Sequence, residues 1–247
     1  VLRLLEKGEA VKLTLDVKAR YTSDDDRMAH NTVAELPGHG KKDEVVIIGA
    51  HLDSWHGGTG AADNAAGVAV MMEAMRILKA TGLKPKRTIR IALWSAEEQG
   101  LLGSAAYVGK HFAELPAPAD PKLKDLPRSL QENPMPPVLK PAHGKVSAYF
   151  NYDNGGGPIR GIYAQENLAA AEVFRQWIAP LADIGVSTVT SRNTGSTDHV
   201  SFDRVGIPGF QFVQDNLDYF THVHHTHLDG LDHIQAEDLR QSAVVVA

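Results

Sequence analysis

The segment Glu44-Val45-Val46-Ile47-Ile48-Gly49-Ala50 constrains this chain more than any other feature. A strand with water on one face alternates apolar and polar residues, and this run does not. It is therefore expected to be a strand covered on both faces, which requires layers above and below it. Thr88–Trp94 reads the same way, and Val146–Phe150 is a shorter version. None approaches the ~20 apolar residues needed to cross a bilayer.

Helical patterns lie between these runs. Val68, Met71, Met72, Met75 and Leu78 keep the i, i+3, i+4, i+7 spacing of an apolar stripe, and Gly82 supplies a stop. Further helices are expected over residues 99–112 and Leu168–Leu181, the latter with Val173, Phe174 and Trp177 as core candidates. Two strands are expected earlier in the chain: Val11–Arg20, which alternates with period two, and Thr32–Leu36, ended by Pro37-Gly38. Strands alternating with helices predict an α/β fold, a three-layer αβα domain with a mixed, largely parallel central sheet. All 247 residues read as one domain. Eight of the 13 prolines fall between Pro116 and Pro141, so residues 113–143 are expected to leave the layered core as an excursion.

The formal net charge of −5, with no Lys/Arg stripe, argues against nucleic acid as a partner. No cysteine is present, which removes disulfides and thiolate metal sites. The chain starts Val1-Leu2-Arg3-Leu4-Leu5 without the apolar core of a signal peptide, and both ends read as cut. The 12 histidines stand out, four of them within Thr221–His227.

In open α/β sheets ligands bind beyond the carboxyl ends of the strands. Directly after the three apolar runs come His51-Leu52-Asp53, Ser95-Ala96-Glu97-Glu98 and Asn151-Tyr152-Asp153. Carboxylates and an imidazole thus converge on one edge. His51 fits a metal with Asp53 behind it orienting the ring, although a strand-end histidine bonded to backbone fits equally. Asp63, in a glycine-rich loop entering a helix, is either a ligand or the helix N-cap. Glu97 and Glu98 repel each other unless a cation is near, and a metal hydrolase needs one carboxylate as ligand and another as base; an acidic helix start is the competing account. Asp153-Asn154-Gly155 also suits a plain turn. In the histidine run, His224 and His225 are the candidate ligands, with Asp229 backing an imidazole or fixing the loop. The His-Glu-x-x-His, Gly-x-Ser-x-Gly and Walker patterns are absent.

Five segments, in order, resemble the motifs of the M28 metallopeptidases: Gly49–Ser54, Gly60–Gly67, Ser95–Ser104, Asn151–Gly155 and His225–Asp229. Within the family the chain is most similar to the carboxypeptidase Q-like group, through Gly195–Asp203, Gly206–Phe210 and the paired His224-His225. The resemblance implies the zinc-exopeptidase fold and two Zn2+ per chain, with Co2+ or Mn2+ as substitutes. It makes Asp63 the carboxylate between the two ions, with His51 and Asp153 on one and Glu98 and His225 on the other. Glu97 is then the general base and Asp53 the partner of His51, while Asp198 and His199 are candidates for substrate contact or support of the site. The implied reaction is hydrolysis of the terminal bond of a peptide or dipeptide by a metal-bridging hydroxide. The same resemblance implies a protease-associated domain before Val1, export to the periplasm or medium, and leaves a homodimer open. Two alternatives use the same scaffold, a single-zinc aminoacyl cyclase and a non-catalytic binding domain. The chain departs from the pattern at Asp229-Gly230, where Asp-Thr is usual, and in the length of its proline-rich segment.

Overall fold

A computed structural model describes residues 1–18, 28–118, 120–123 and 136–247. In chain order these form α1 (Leu2–Leu5), β1 (Thr32–Leu36), β2 (Lys41–His51), α2 (Ala66–Ala80), β3 (Arg87–Trp94), α3 (Leu102–His111), β4 (Ala113–Glu114), β5 (Val138–Leu139), β6 (Val146–Asn151), β7 (Ile159–Tyr163), α4 (Leu168–Ile178), β8 (Thr188–Thr190), α5 (His199–Asp203), β9 (Gly209–Gln214) and α6 (Ala236–Val246).

The non-alternating run of β2 lies at the middle of a seven-stranded sheet ordered β1-β3-β2-β6-β9-β7-β8. β3, β2, β6 and β9 run parallel, whereas β1 pairs with β3, and β7 with β9, in the antiparallel sense. The expected mixed, largely parallel sheet is present. Both faces are covered. On one, Ile48, Ala50, Ile91 and Phe210 pack with Val70, Met71 and Ala74 of α2 and Phe174 of α4. On the other, Val45, Ile47, Trp94 and Tyr149 pack with Val108 of α3 and Phe202 of α5. The register puts His51 beside Trp94, Gly49 beside Asn151, and Asn151 beside Gln211, so β3, β2 and β6 end within two residues of one level, with Gln211 of β9 alongside. That alignment positions the site. Among the described residues no helix is long and apolar enough to cross a membrane.

Several expectations need correction. Residues 11–18 form no strand, and Leu15 is 83% exposed; alternation specifies a face but not a partner, and an unpaired strand gains no ladder to offset its ordering. Ala19 and Arg20 lie outside the described residues. On α2 the buried line is Ala66, Val70, Met71 and Ala74, with Met72 57% exposed. Small residues let the helix sit close to the sheet, which turns the bulky Met72 outward. On α4 only Phe174 is buried of the three core candidates; Trp177 is 62% exposed and Val173 is also open. That helix stops at Ile178 and gives way to a 3-10 turn carrying Pro180, which has no N–H to continue the ladder. The helix expected over 99–112 begins only at Leu102, after a turn in which Gly100 and Leu101 both donate to the Glu97 carbonyl. The proline-rich excursion is tied at its base by β4 and β5, which pair Ala113 with Leu139 and Glu114 with Val138; residues 119 and 124–135 of it lie outside the described residues.

Candidate metal centre

Each parallel strand delivers its side chain at the point where the sheet ends. His51 is the last residue of β2 and is buried. Its Nδ1 lies 3.0 Å from the Asp53 carbonyl oxygen, whereas the Asp53 carboxylate is 3.7 Å away. Backbone rather than side chain therefore sets the ring's orientation. The Asp53 carboxylate instead accepts from the amides of Glu97 and Glu98, at 3.1 Å each. It fixes the turn that carries both glutamates.

Asp63 is not the helix cap. The N-cap of α2 is Ala65, and it is Asn64 Oδ1 that accepts from Gly67 N, at 3.1 Å. Asn64 also donates to the Tyr152 carbonyl at 2.9 Å, locking the loop to the strand-end segment after β6. The Asp229 carboxylate accepts from Ala62 N at 2.7 Å and Asp63 N at 3.1 Å. Of the two roles open to Asp229, it fixes a loop, and the loop is that of Asp63.

With its backbone held, Asp63 turns one oxygen toward each of two histidines. Oδ1 is 3.0 Å from His51 Nε2, which also lies 3.3 Å from Asp153 Oδ1. Oδ2 is 3.5 Å from His225 Nε2, which lies 3.1 Å from Glu98 Oε2. Glu97 Oε2 stands further off, 4.0 Å from His51 Nε2. His51 Nε2 and Glu98 Oε1 are buried without a hydrogen-bond partner. Lone-pair donors crowded together but not bonded to each other are what a cation satisfies. Three overlapping groups, Asp63/His224/His225, His51/Glu97/Asp153 and His51/Asp63/Glu98, keep their ligand atoms within 4.8 Å of one another. The donor set is nitrogen and carboxylate oxygen, which suits zinc.

The electrostatics carry the same message. Burial, then the charges of Asp153 and Asp198, push the Glu97 carboxyl up to about 10. Burial and Asp63 push Glu98 up to about 8. Burial alone would lower His51, but Asp153 beside it outweighs that and raises its pKa well above the ordinary range. Burial opposes ionisation of Asp153, and the His51 charge overcomes it to hold the carboxyl below its usual value. The cluster has more negative charge than its one strongly basic partner can neutralise, and a divalent cation reverses that imbalance.

A family model for peptidase family M28 matches residues 31–247. The chain belongs to peptidase family M28. It is 29% identical to mouse carboxypeptidase Q over 245 residues, covering 99% of this chain and 45% of that enzyme. Aminopeptidase YwaD of Bacillus subtilis is 28% identical over 244 residues, covering 98% of this chain and 48% of that enzyme. The chain thus spans about half the length of these relatives. A solved M28 peptidase precursor from Shewanella amazonensis superposes with a TM-score of 0.71 at 33% identity, covering 87% of this chain and 42% of that one.

This M28 chain also uses residues that motif spacing alone did not single out. Trp94 Nε1 donates to Tyr149 Oη at 2.8 Å, and Tyr149 in turn donates to Asn151 Oδ1. Asn151 Nδ2 donates to Thr197 Oγ1 and Gln211 Oε1, each at 2.8 Å, and Gln211 Nε2 donates to the Asp153 carbonyl at 2.7 Å. This buried ladder ties β3, β6 and β9 together directly beneath the site. Gly49 makes room for it, since a Cβ there would lie 2.7 Å from Tyr149 Oη. The signal was present in the sequence as Asn151 and Gln211, amides interrupting apolar strands. Asp198 and His199, next in sequence to Thr197 of that ladder, are fully buried, with both Asp198 oxygens and His199 Nδ1 lacking a hydrogen bond. Burial pushes Asp198 up to about 7 and holds His199 below its ordinary value. Half-exposed Trp55 lies against the His225 ring, centroids 5.0 Å apart, and His224 stacks on the same ring at 3.7 Å.

Proposed function

We propose that this chain is the catalytic domain of a two-zinc exopeptidase, cleaving the terminal bond of a peptide or dipeptide. The observation that carries this reading is the division of Asp63, one oxygen with His51 and Asp153, the other with His225 and Glu98. His51, Asp153 and Asp63 would hold one ion, and His225, Glu98 and Asp63 the other; Co2+ or Mn2+ would fit the same donors. Bound there, the metal pair supplies Lewis acidity that polarises a carbonyl and acidifies water.

We assign Glu97 to neither ligand set, because its Oε2 stands 4.0 Å from His51 Nε2, further than the Asp63 oxygen at 3.0 Å and the Asp153 oxygen at 3.3 Å. The Glu97 carboxylate takes the proton of the attacking water as the C–O bond forms, and returns it to the amine nitrogen as the C–N bond breaks. Asp53 holds the Glu97 amide, which keeps base and ligand in fixed relation. Asp198 and His199 are fully buried, which supports a role in sustaining the site more than in touching substrate. A protease-associated domain outside this chain and a periplasmic or secreted location belong to the same reading and rest on the family resemblance.

The test combines zinc analysis of the purified chain with a panel of dipeptides and aminoacyl anilides. Two zinc ions per chain and turnover are expected. One ion with cyclising activity would favour the aminoacyl cyclase, and no ion a binding domain. Glu97→Gln is expected to keep both ions and lower kcat about 10²–10⁴-fold. Undiminished turnover in the metal-loaded variant would remove Glu97 from the role.

A further inference from the structure

The six side chains of the centre are not equally covered. Those of His51, Asp63, Glu97, Glu98 and Asp153 are at most 9% exposed, whereas that of His225 is 39% exposed. The cluster therefore meets solvent on the His225 side, and a substrate that reaches it passes that ring. Trp55, 46% exposed, lies against the same ring, with centroids 5.0 Å apart and planes tilted by 40°.

Trp55 belongs to the loop after β2, and that loop is held. Gly60 takes a left-handed backbone, φ +65°, and sits so close to the Ser54 side chain that a Cβ there would collide with it. The loop is thus closed at its base. Thr59 donates to the Asp229 carbonyl through its amide, at 2.9 Å, and through its hydroxyl, at 3.0 Å. A Cβ on Gly58 would lie 3.0 Å from the Thr226 carbonyl oxygen, and one on Gly57 would lie 3.6 Å from the His227 Cβ. The loop of Trp55 therefore runs along the loop of His225, which places the indole beside the ligand without burying it. Exposed aromatics scattered over a surface need no explanation. This one is tied to the open side of the cluster.

We propose that Trp55 is a specificity-determining residue, its indole forming an apolar wall for the substrate side chain next to the cleaved bond. The inference rests on the metallopeptidase reading and names the substrate class for it. One residue of extended chain spans about 3.3–3.6 Å. A peptide whose reacting carbonyl lies beside His225 thus brings the adjoining side chain, rather than a distant one, to the indole. Contact there removes apolar surface of both partners from water, and an aromatic side chain gains further from edge or offset contact. Peptides with an aromatic or large aliphatic residue at that position are the favoured class, whereas glycine leaves the indole in water.

The test compares zinc-loaded wild type with Trp55→Ala on Phe-Ala, Leu-Ala and Gly-Ala and on the reversed dipeptides, with kcat and KM determined separately. Wild type is expected to prefer Phe to Gly on at least one side of the bond, chiefly through KM. Trp55→Ala is expected to lower that preference about 10-fold, and Trp55→Phe, which keeps a ring in place, to retain most of it. Both variants are expected to hold as much zinc as wild type. A preference that survives Trp55→Ala, or that is lost together with zinc, would overturn the proposal and leave Trp55 a cover for His225. A wild type that cleaves Phe and Gly dipeptides equally well on both sides would overturn it without any variant. A wild type that holds no zinc and hydrolyses no dipeptide would overturn the metallopeptidase reading itself.

Discussion

Two carboxylates at this centre do their work through backbone amides. Asp53 takes the amides of Glu97 and Glu98, and Asp229 those of Ala62 and Asp63. Neither pairing can be read from spacing, because the partners are 44 to 45 and 166 to 167 residues apart. His51, Asp63, Glu97, Glu98 and Asp153 were legible because each comes after an apolar run or within a glycine loop. The work of Asp229 was legible in part: fixing a loop was one of its two expected roles, but that the loop is the one carrying Asp63 was not. Asp229→Ala is expected to leave two buried amides without acceptors, costing about 1–3 kcal/mol of stability. The freed Asp63 should weaken zinc binding about 10–100-fold. Urea melts and chelator competition check both. Unaltered zinc affinity would return Asp229 to holding its own loop.

Four of the seven strands of the sheet, β1, β2, β3 and β6, read from sequence, whereas β7, β8 and β9 did not, and the helix faces read poorly. β2 from Val45 to Ala50 and β3 from Ile91 to Trp94 carry apolar residues consecutively, so burial on both faces leaves no choice of face to misjudge there. A helix stripe can rotate by a residue according to how closely the backbone seats, as α2 does by burying Ala66 and Ala74 in place of Met72. α4 gives the measurable case. Phe174 makes edge contact with Phe210, centroids 4.7 Å apart, whereas Trp177 is mostly exposed. Phe174→Ala is expected to cost about 3–5 kcal/mol, and Trp177→Ala well under half of that, by denaturant unfolding of each variant. Comparable losses would show that Trp177 is as tightly packed as Phe174. The 11–18 segment fails for a different reason: its alternation is real, but no described strand pairs with it.

For the molecule as a whole, gathering these groups costs stability unless a cation is bound. In the metal-free fold Glu97 titrates at about 10 and Glu98 at about 8, each raised from 4.5, and Asp198 at about 7, raised from 3.8. Across those windows the folded chain holds more protons than the unfolded one, so stability falls as pH rises. His51, raised above 6.5, acts in the same direction from that pH upward. His199 and His225, both lowered from 6.5, act in the opposite direction as pH rises toward that value. Away from these, His233, Asp203 and Asp229 are raised and act with the first set, and His111 is lowered and acts with the second, so the first set prevails. The melting temperature of the metal-stripped chain is expected to fall between pH 5 and pH 8. Zinc should raise it more at pH 8, where the ligands shed their protons readily. Scanning calorimetry with and without zinc reads both, and a metal-free melting temperature that climbs with pH would contradict the account.

The sequence by itself determined the layered α/β class and the strand ends at which acidic and imidazole groups would emerge. Both come from local rules, because period and polarity are properties of neighbouring residues. Only the tertiary structure decided which atoms face one another: Asp63 between two histidines, Asp53 and Asp229 on amides, and the Trp94–Tyr149–Asn151–Gln211 ladder as floor. Those pairings depend on strand register and loop closure. Register and closure are set by packing across the whole sheet, which no short window of sequence contains.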